Sequence, residues 1–205
     1  MAIEFHTFPV GPYCANCTVA RRGGEALVID PGADGDGIAD WLDGRGLSLS
    51  AVFLTHGHFD HISGVDALVA RHPAPVLLHA ADKALAFSAF NRAQPGYGGM
   101  TPTPLLDVSP DEGYLPLGWP EARVLHAPGH SPGSCCLYFP GEATLVAGDA
   151  IFAGGSYGRT DLPGGSWREM IESLRRLAAL PDATRVICGH GPETAIGEWR
   201  GWLDV

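Results

Sequence analysis

Four apolar runs of strand length in this chain each break off in a glycine-containing turn that carries histidine or aspartate. Ala51-Val52-Phe53-Leu54 enters Thr55-His56-Gly57-His58-Phe59-Asp60-His61; Val124-Leu125 leads to Gly129-His130, Thr144-Leu145-Val146-Ala147 to Gly148-Asp149, and Val186-Ile187-Cys188 to Gly189-His190. His56, His58, Asp60 and His61 could not converge from a regular element, because a strand alternates its side chains and a helix rotates them by about 100° per residue. An irregular turn after a buried strand is required. Open α/β sheets place their ligands there, outside the strand ends.

Further apolar runs lie at Ala26-Leu27-Val28-Ile29, Val76-Leu77-Leu78 and Cys135-Cys136-Leu137-Tyr138-Phe139. Helical spacing appears between runs: Val65, Leu68 and Val69 within 62–71, and Leu85, Phe87 and Phe90 within 81–92. Over 167–180, Ser166 and Glu169 form a capping box, and Trp167, Ile171, Leu174 and Leu177 or Ala178 form a stripe expected to be buried before Pro181. Strands alternating with helices predict an α/β layered protein, and 205 residues predict one domain. Residues 94–110, rich in Gly and Pro, predict a long irregular loop.

The formal charge of −10 opposes binding to phosphate backbones, which argues against a nucleic-acid partner. No apolar run approaches the roughly 18 residues that span a bilayer, and the N-terminus lacks a secretory pattern, so a cytoplasmic protein without a membrane partner is expected. Five cysteines fit reduced thiols better than a disulfide framework. Cys14 and Cys17 read as small residues of an N-terminal hairpin, and Cys135, Cys136 and Cys188 as strand core.

Neutral imidazole and carboxylate together suit zinc, manganese or iron, with zinc favoured. The candidate ligands are His56, His58, Asp60, His61, His130, Asp149 and His190. Seven exceed the three or four of one zinc site, so two divalent ions sharing a bridging carboxylate are expected. His6, His72, His79 and His126 lack the glycine-histidine strand-end context and read as structural.

Thr55-His56-Gly57-His58-Phe59-Asp60-His61 with the later Gly129-His130, Gly148-Asp149 and Gly189-His190 resembles the metallo-β-lactamase superfamily, from Asp30-Pro31-Gly32 to His190. The resemblance implies an αββα sandwich over residues 1–205. It also implies that His56, His58 and His130 bind a first metal and Asp60, His61 and His190 a second, with Asp149 bridging them. Within the superfamily the chain is similar to small glyoxalase II-like (hydroxyacylglutathione hydrolase-like) proteins. The residues concerned are Asn16, Asp30-Pro31-Gly32, Ala127-Pro128-Gly129-His130-Ser131-Pro132-Gly133-Ser134 and Gly158-Arg159-Thr160-Asp161-Leu162-Pro163-Gly164-Gly165. That likeness implies hydrolysis of a small-molecule thioester by a metal-bridging hydroxide, with Asp60 and Asp149 as the catalytic carboxylates. Full-length glyoxalase II continues into a helical C-terminal domain; with fifteen residues after His190, no such domain is expected. Substrate selection then falls to the loops around Tyr97 and Arg159. Arg159 either grips a substrate carboxylate or pairs with Asp161, and Tyr97 either contacts substrate or packs its own loop. Two alternatives stand beside this reading. A persulfide dioxygenase would hold one iron on His56, His130 and Asp149, and a metal-stabilised binding module would have no turnover.

Overall fold

A computed structural model describes residues 2–95, 97, 100, 101, 105–108, 113, 115 and 117–202. Backbone proximity divides the chain into two compact units, Met1–Asp107 and Val108–Val205. Among the described residues no helix is long and apolar enough to cross a membrane.

The first unit holds a six-stranded mixed sheet in sequential order: β1 (Glu4–Val10), β2 (Ala15–Arg22), β3 (Glu25–Ile29), β4 (Ser48–Phe53), β5 (Val76–Leu78) and β6 (Leu105–Asp107). β1, β2 and β3 pair antiparallel, and β3 through β6 pair parallel. β3, β4 and β5 bury apolar side chains on both faces, as parallel strands inside a sheet require, whereas β6 at the edge is largely exposed. Val28, Val52 and Val76 pack with Ile38 and Leu42 of α1 (Gly35–Asp43) and Leu68 of α3 (Val65–Arg71). On the alternate face Leu27, Ile29, Phe53 and Leu77 are also fully buried. Asp34 caps α1 by accepting from the Gly37 N–H at 3.2 Å.

Two helical segments differ from expectation. The 62–71 helix begins only at Val65, preceded by α2 (Phe59–Ile62), because Gly64 lies against the Pro31 and Gly32 carbonyls, where a Cβ would come within 2.8 Å of the former. The 81–92 segment divides into a single turn at Ala80–Asp82, α4 (Lys83–Ala86) and α5 (Ala89–Arg92). Ser88 restarts the helix by accepting from the Asn91 N–H at 3.1 Å, a cap that competes with a continuous helix.

The second unit holds β7 (Arg123–His126), β8 (Cys135–Phe139), β9 (Thr144–Gly148), β12 (Arg185–Cys188) and β13 (Thr194–Ala195), in the order β13-β12-β9-β8-β7. A separate hairpin pairs β10 (Ile151–Phe152) with β11 (Ser156–Tyr157). α6 (Trp167–Leu177) and α7 (Ile196–Arg200) complete the unit. Ser166 caps α6 as expected, but the helix ends at Leu177 and its buried face is Met170, Ser173, Leu174 and Leu177. Trp167 is 51% exposed rather than buried. The face is turned toward Ser173, whose hydroxyl donates to the Pro128 carbonyl at 2.7 Å, while Trp167 lies beside Tyr157 with ring centroids 5.3 Å apart.

All five cysteines are free; Cys14, in the β1–β2 turn, is exposed, and the others are buried. Burial raises the thiol pKa of Cys17 and pushes those of Cys136 and Cys188 up to about 12. Titration of the native protein with an aromatic disulfide should therefore read one fast thiol, Cys14, and all five in denaturant. Ser166→Ala should cost about 1 kcal/mol in equilibrium unfolding, the usual loss for an N-cap hydroxyl.

Candidate metal centre

In the first unit the site grows from the ends of neighbouring parallel strands. Asp30 follows β3 in the left-handed region, at φ 51°, uncommon for a residue with a side chain. Its carboxylate accepts from the Thr55 N–H at 2.7 Å, the Thr55 hydroxyl at 2.6 Å and His61 Nδ1 at 2.9 Å. Thr55 has one hydroxyl hydrogen, and Asp30 takes it. The 3.0 Å contact between Thr55 Oγ1 and His56 Nδ1 therefore has the histidine as donor. His56 and His61 thus both carry hydrogen on Nδ1, which leaves the Nε2 lone pair of each for a cation.

The rest of the motif is equally close, although Asp60 and His61 stand on the single-turn helix α2 and not in the expected irregular turn. The His56 and His58 rings lie 4.9 Å apart, edge on at 81°, and His61 Nε2 is 3.9 Å from Asp60 Oδ2. His56, His58 and His61 are buried. Asp30, His56 and His61 also have donor atoms close enough together to hold an ion. Because Asp30 is engaged by three hydrogen bonds, it serves as orienter rather than ligand.

In the second unit His130, Asp149 and His190 come together at the ends of β7, β9 and β12. Asp149 Oδ2 is 3.5 Å from His130 Nε2 and 3.7 Å from His190 Nε2. Two donors at about 2.0–2.2 Å from one tetrahedral ion stand about 3.3–3.6 Å apart; the His130 spacing falls in that range and the His190 spacing just beyond it, and both are longer than a direct hydrogen bond. His130 Nδ1 donates to the Arg159 carbonyl at 2.7 Å, again leaving Nε2 as the ligand atom. The donor set therefore fits divalent cations, with four candidate ligands in one unit and three in the other.

The Arg159 side chain is exposed and pairs with Asp161 through two contacts of 2.7 Å. Tyr97 accepts from the Met100 N–H at 3.0 Å and donates to the Ala86 carbonyl at 3.3 Å. The segment 94–110 is not irregular throughout, because Leu105–Asp107 pairs with β5 as strand β6; residues 96, 98, 99, 102–104, 109 and 110 lie outside the described residues. His6 lies 5.1 Å from the Trp41 ring, His72 is 3.1 Å from Asp43, and His79 accepts from the Ala81 N–H. His126 Nε2 contacts the Pro132 carbonyl.

Sequence reasoning misses four orienting residues. Thr55 and Asp30 stand within recognisable motifs, and the adjacency of β3 and β4 is the signal that would join them. Asp82 and Asn91, which hold Gly57, have no signal, because both lie in short helices whose boundaries the sequence does not reveal.

The metallo-beta-lactamase superfamily profile matches residues 10–190. The chain belongs to the metallo-β-lactamase superfamily. Its α/β fold is that superfamily's, with two mixed sheets flanked by helices. This metallo-β-lactamase homologue is 36% identical to the probable metallo-hydrolase YqgX of Bacillus subtilis, over 95% of this chain and 93% of that one. It is 43% identical to a hydroxyacylglutathione hydrolase of Alkalilimnicola ehrlichii over 80% of this chain, a match that spans 56% of that enzyme. Among solved structures it is similar to BLEG-1, a B3 metallo-β-lactamase, with TM-score 0.88 and 37% identity, covering 95% of each chain. It is also similar to TTHA1623 in a di-iron-bound form, with TM-score 0.80 and 36% identity, covering 94% of this chain and 95% of that one.

The Arg159 hydrogen bond, as the main cause, holds the Asp161 carboxyl down to about 2 from an ordinary 3.8. What the pair adds is therefore fully present above the ordinary value and lost as pH falls through about 2. A carboxyl-carbon NMR titration should place the Asp161 midpoint near 2, and Arg159→Ala should return it toward 3.8.

Proposed function

We propose that this chain is a metal-dependent hydrolase that cleaves small-molecule thioesters, with residues 1–205 acting as one functional domain. The observation that carries the reading is the common tautomer of His56, His61 and His130, each with Nδ1–H engaged and Nε2 left for a cation. The family assignment supports the ligand scheme: His56, His58 and His130 would hold one ion, Asp60, His61 and His190 a second, and Asp149 would bridge, with zinc proposed and iron or manganese as substitutes. When bound, two such ions supply a water acidic enough to be hydroxide near neutral pH and an electrophile for the carbonyl oxygen.

The chain's own residues do the rest. Asp30 and the Arg159 carbonyl hold His61 and His130 in orientation through Nδ1. Asp60, partly exposed beside His61, would take the proton that the attacking water gives up. A thiolate leaves without a strong general acid, since thiols ionise near pH 8.5. This makes a thioester a fitting substrate for a site whose candidate ligands are histidines and aspartates. Arg159 and Tyr97 are the proposed substrate-side residues, and a substrate carboxylate must displace Asp161 to reach the Arg159 guanidinium. The match to hydroxyacylglutathione hydrolase supports the thioester class, but it covers too little of that enzyme to carry over the thiol.

Elemental analysis of the purified protein should find about two divalent ions per chain. Asp149→Ala should lower that content and reduce thioester hydrolysis by orders of magnitude. One tightly held iron with turnover of a persulfide would instead assign a dioxygenase. Full metal content with no turnover of thioester or β-lactam would assign a binding module. Arg159→Ala should raise KM for an anionic thioester with little change in kcat. Equal small effects on anionic and neutral thioesters would place recognition elsewhere.

A further inference from the structure

Gly57 separates two histidines of the ligand turn, and its peptide groups are held from both sides. Its N–H donates to Asp82 Oδ2 at 2.8 Å, and its carbonyl accepts from Asn91 Nδ2 at 2.7 Å. Asp82 and Asn91 are fully buried and come from separate short helical elements. Asn91 Nδ2 also reaches the Leu85 and Ala86 carbonyls at 3.0 and 3.3 Å, so two amide hydrogens serve three acceptors. Asn91 Oδ1, by contrast, is buried with no hydrogen-bond partner among the described residues.

That imbalance is informative. A side chain present only to fill space would be apolar, because a buried unsatisfied acceptor is unfavourable. The fold tolerates it where the donor end of the amide has a task. Gly57 has no room to spare either: a Cβ there would lie 2.9 Å from the Asp82 carbonyl oxygen and 3.1 Å from the Ala86 nitrogen. The close approach of the clamp, not a left-handed backbone, requires glycine. His56 and His58 leave the chain on either side of these two peptide groups, so rotating either peptide would swing an imidazole.

We propose that Asp82 and Asn91 are positioning residues that clamp the Gly57 peptides, fix the spacing of His56 and His58, and so set the affinity of that histidine pair for a divalent cation. The inference rests on the metal-site reading above. The clamp continues outward: Ala86, which accepts from Asn91, also accepts from the Tyr97 hydroxyl. Tyr97 therefore reaches the ligand turn through three hydrogen bonds, by way of the Ala86 carbonyl and the Asn91 amide.

The test uses the metal-loaded protein, titrated with a chromophoric chelator and, after cobalt substitution, read by ligand-field absorption. Asn91→Ala and Asp82→Ala should weaken binding of one ion by about 10–100-fold, the usual effect of losing an outer-shell partner, and shift the cobalt bands. Asp82→Asn keeps an acceptor for the Gly57 N–H and should stay within a few-fold of wild type. Gly57→Ala deletes no hydrogen-bonding group but forces the clamp open, and should weaken the same ion. Ser50→Ala removes a 2.7 Å bond to the Ala26 carbonyl away from the turn and should lower only thermal stability. Unchanged affinity and unchanged cobalt bands in Asn91→Ala and Gly57→Ala would overturn the clamp while leaving the hydrolase reading intact. Should Asn91→Ala fail to fold, Gly57→Ala against Asp82→Asn decides alone. A wild-type protein that binds no ion overturns the functional reading, and the clamp with it.

Discussion

The candidate centre depends on one buried carboxylate. Asp30 follows β3, and its side chain reaches past the end of the neighbouring parallel strand, where it accepts from Thr55 twice and from His61 once. Hydrogen bonds to a charged group are worth about 1.5–3 kcal/mol each, and an unpaired carboxylate at this depth would be strongly unfavourable. The three donors and the acceptor therefore need each other. The left-handed backbone at Asp30 costs something of order 1–3 kcal/mol, and the bond network over-determines it. Through Thr55 the same carboxylate sets the tautomer of His56, so one aspartate orients two histidines.

A similar logic recurs at the other histidine turns with different parts. In the second unit the orienting acceptor is a backbone carbonyl, that of Arg159, held against His130 while the Arg159 side chain is occupied outside by Asp161. A backbone acceptor requires no buried counter-charge, which suits a histidine already facing the carboxylate of Asp149, at the end of β9 and between two imidazoles. Around Gly57 the orienting groups are an aspartate and an amide acting on the main chain. The three devices share one requirement: a short irregular turn has few backbone hydrogen bonds of its own, so neighbouring elements must supply them.

Much of the ligand frame is legible in the amino-acid sequence alone. Apolar runs, glycine and ligand-type side chains are all local features, and each of the four runs appears as a strand ending where the turn begins. The helices are less legible. Stripe spacing cannot show that Gly64 faces carbonyls from another turn, or that Ser88 restarts a helix. The expected burial of Trp167 fails because a 3.6-residue period fixes a face only to within the width of the stripe, and the polar Ser173, bonded to Pro128, rotates the buried face away from it. The orienting residues are hardest of all. Asp82 lies 25 residues from the glycine it holds and Asn91 lies 34, separations at which neither period nor motif carries information.

The division between ligand turn and surrounding loops also bears on the choice of substrate. Chains similar to this one include both a hydroxyacylglutathione hydrolase and a B3 metallo-β-lactamase. Similarity of that kind therefore reports the shared fold and does not by itself fix the substrate, as expected when function resides in a site placed on that fold. The frame in this chain is locked through buried bonds from Asp30, Thr55, Asp82 and Asn91. Exposed loop side chains are not tied in this way. Arg159 shows both roles in one residue: its carbonyl belongs to the frame through His130, whereas its exposed guanidinium pairs with Asp161 at the surface. A substitution at position 159 can therefore change the charge presented to a substrate while the backbone carbonyl that orients His130 stays in place.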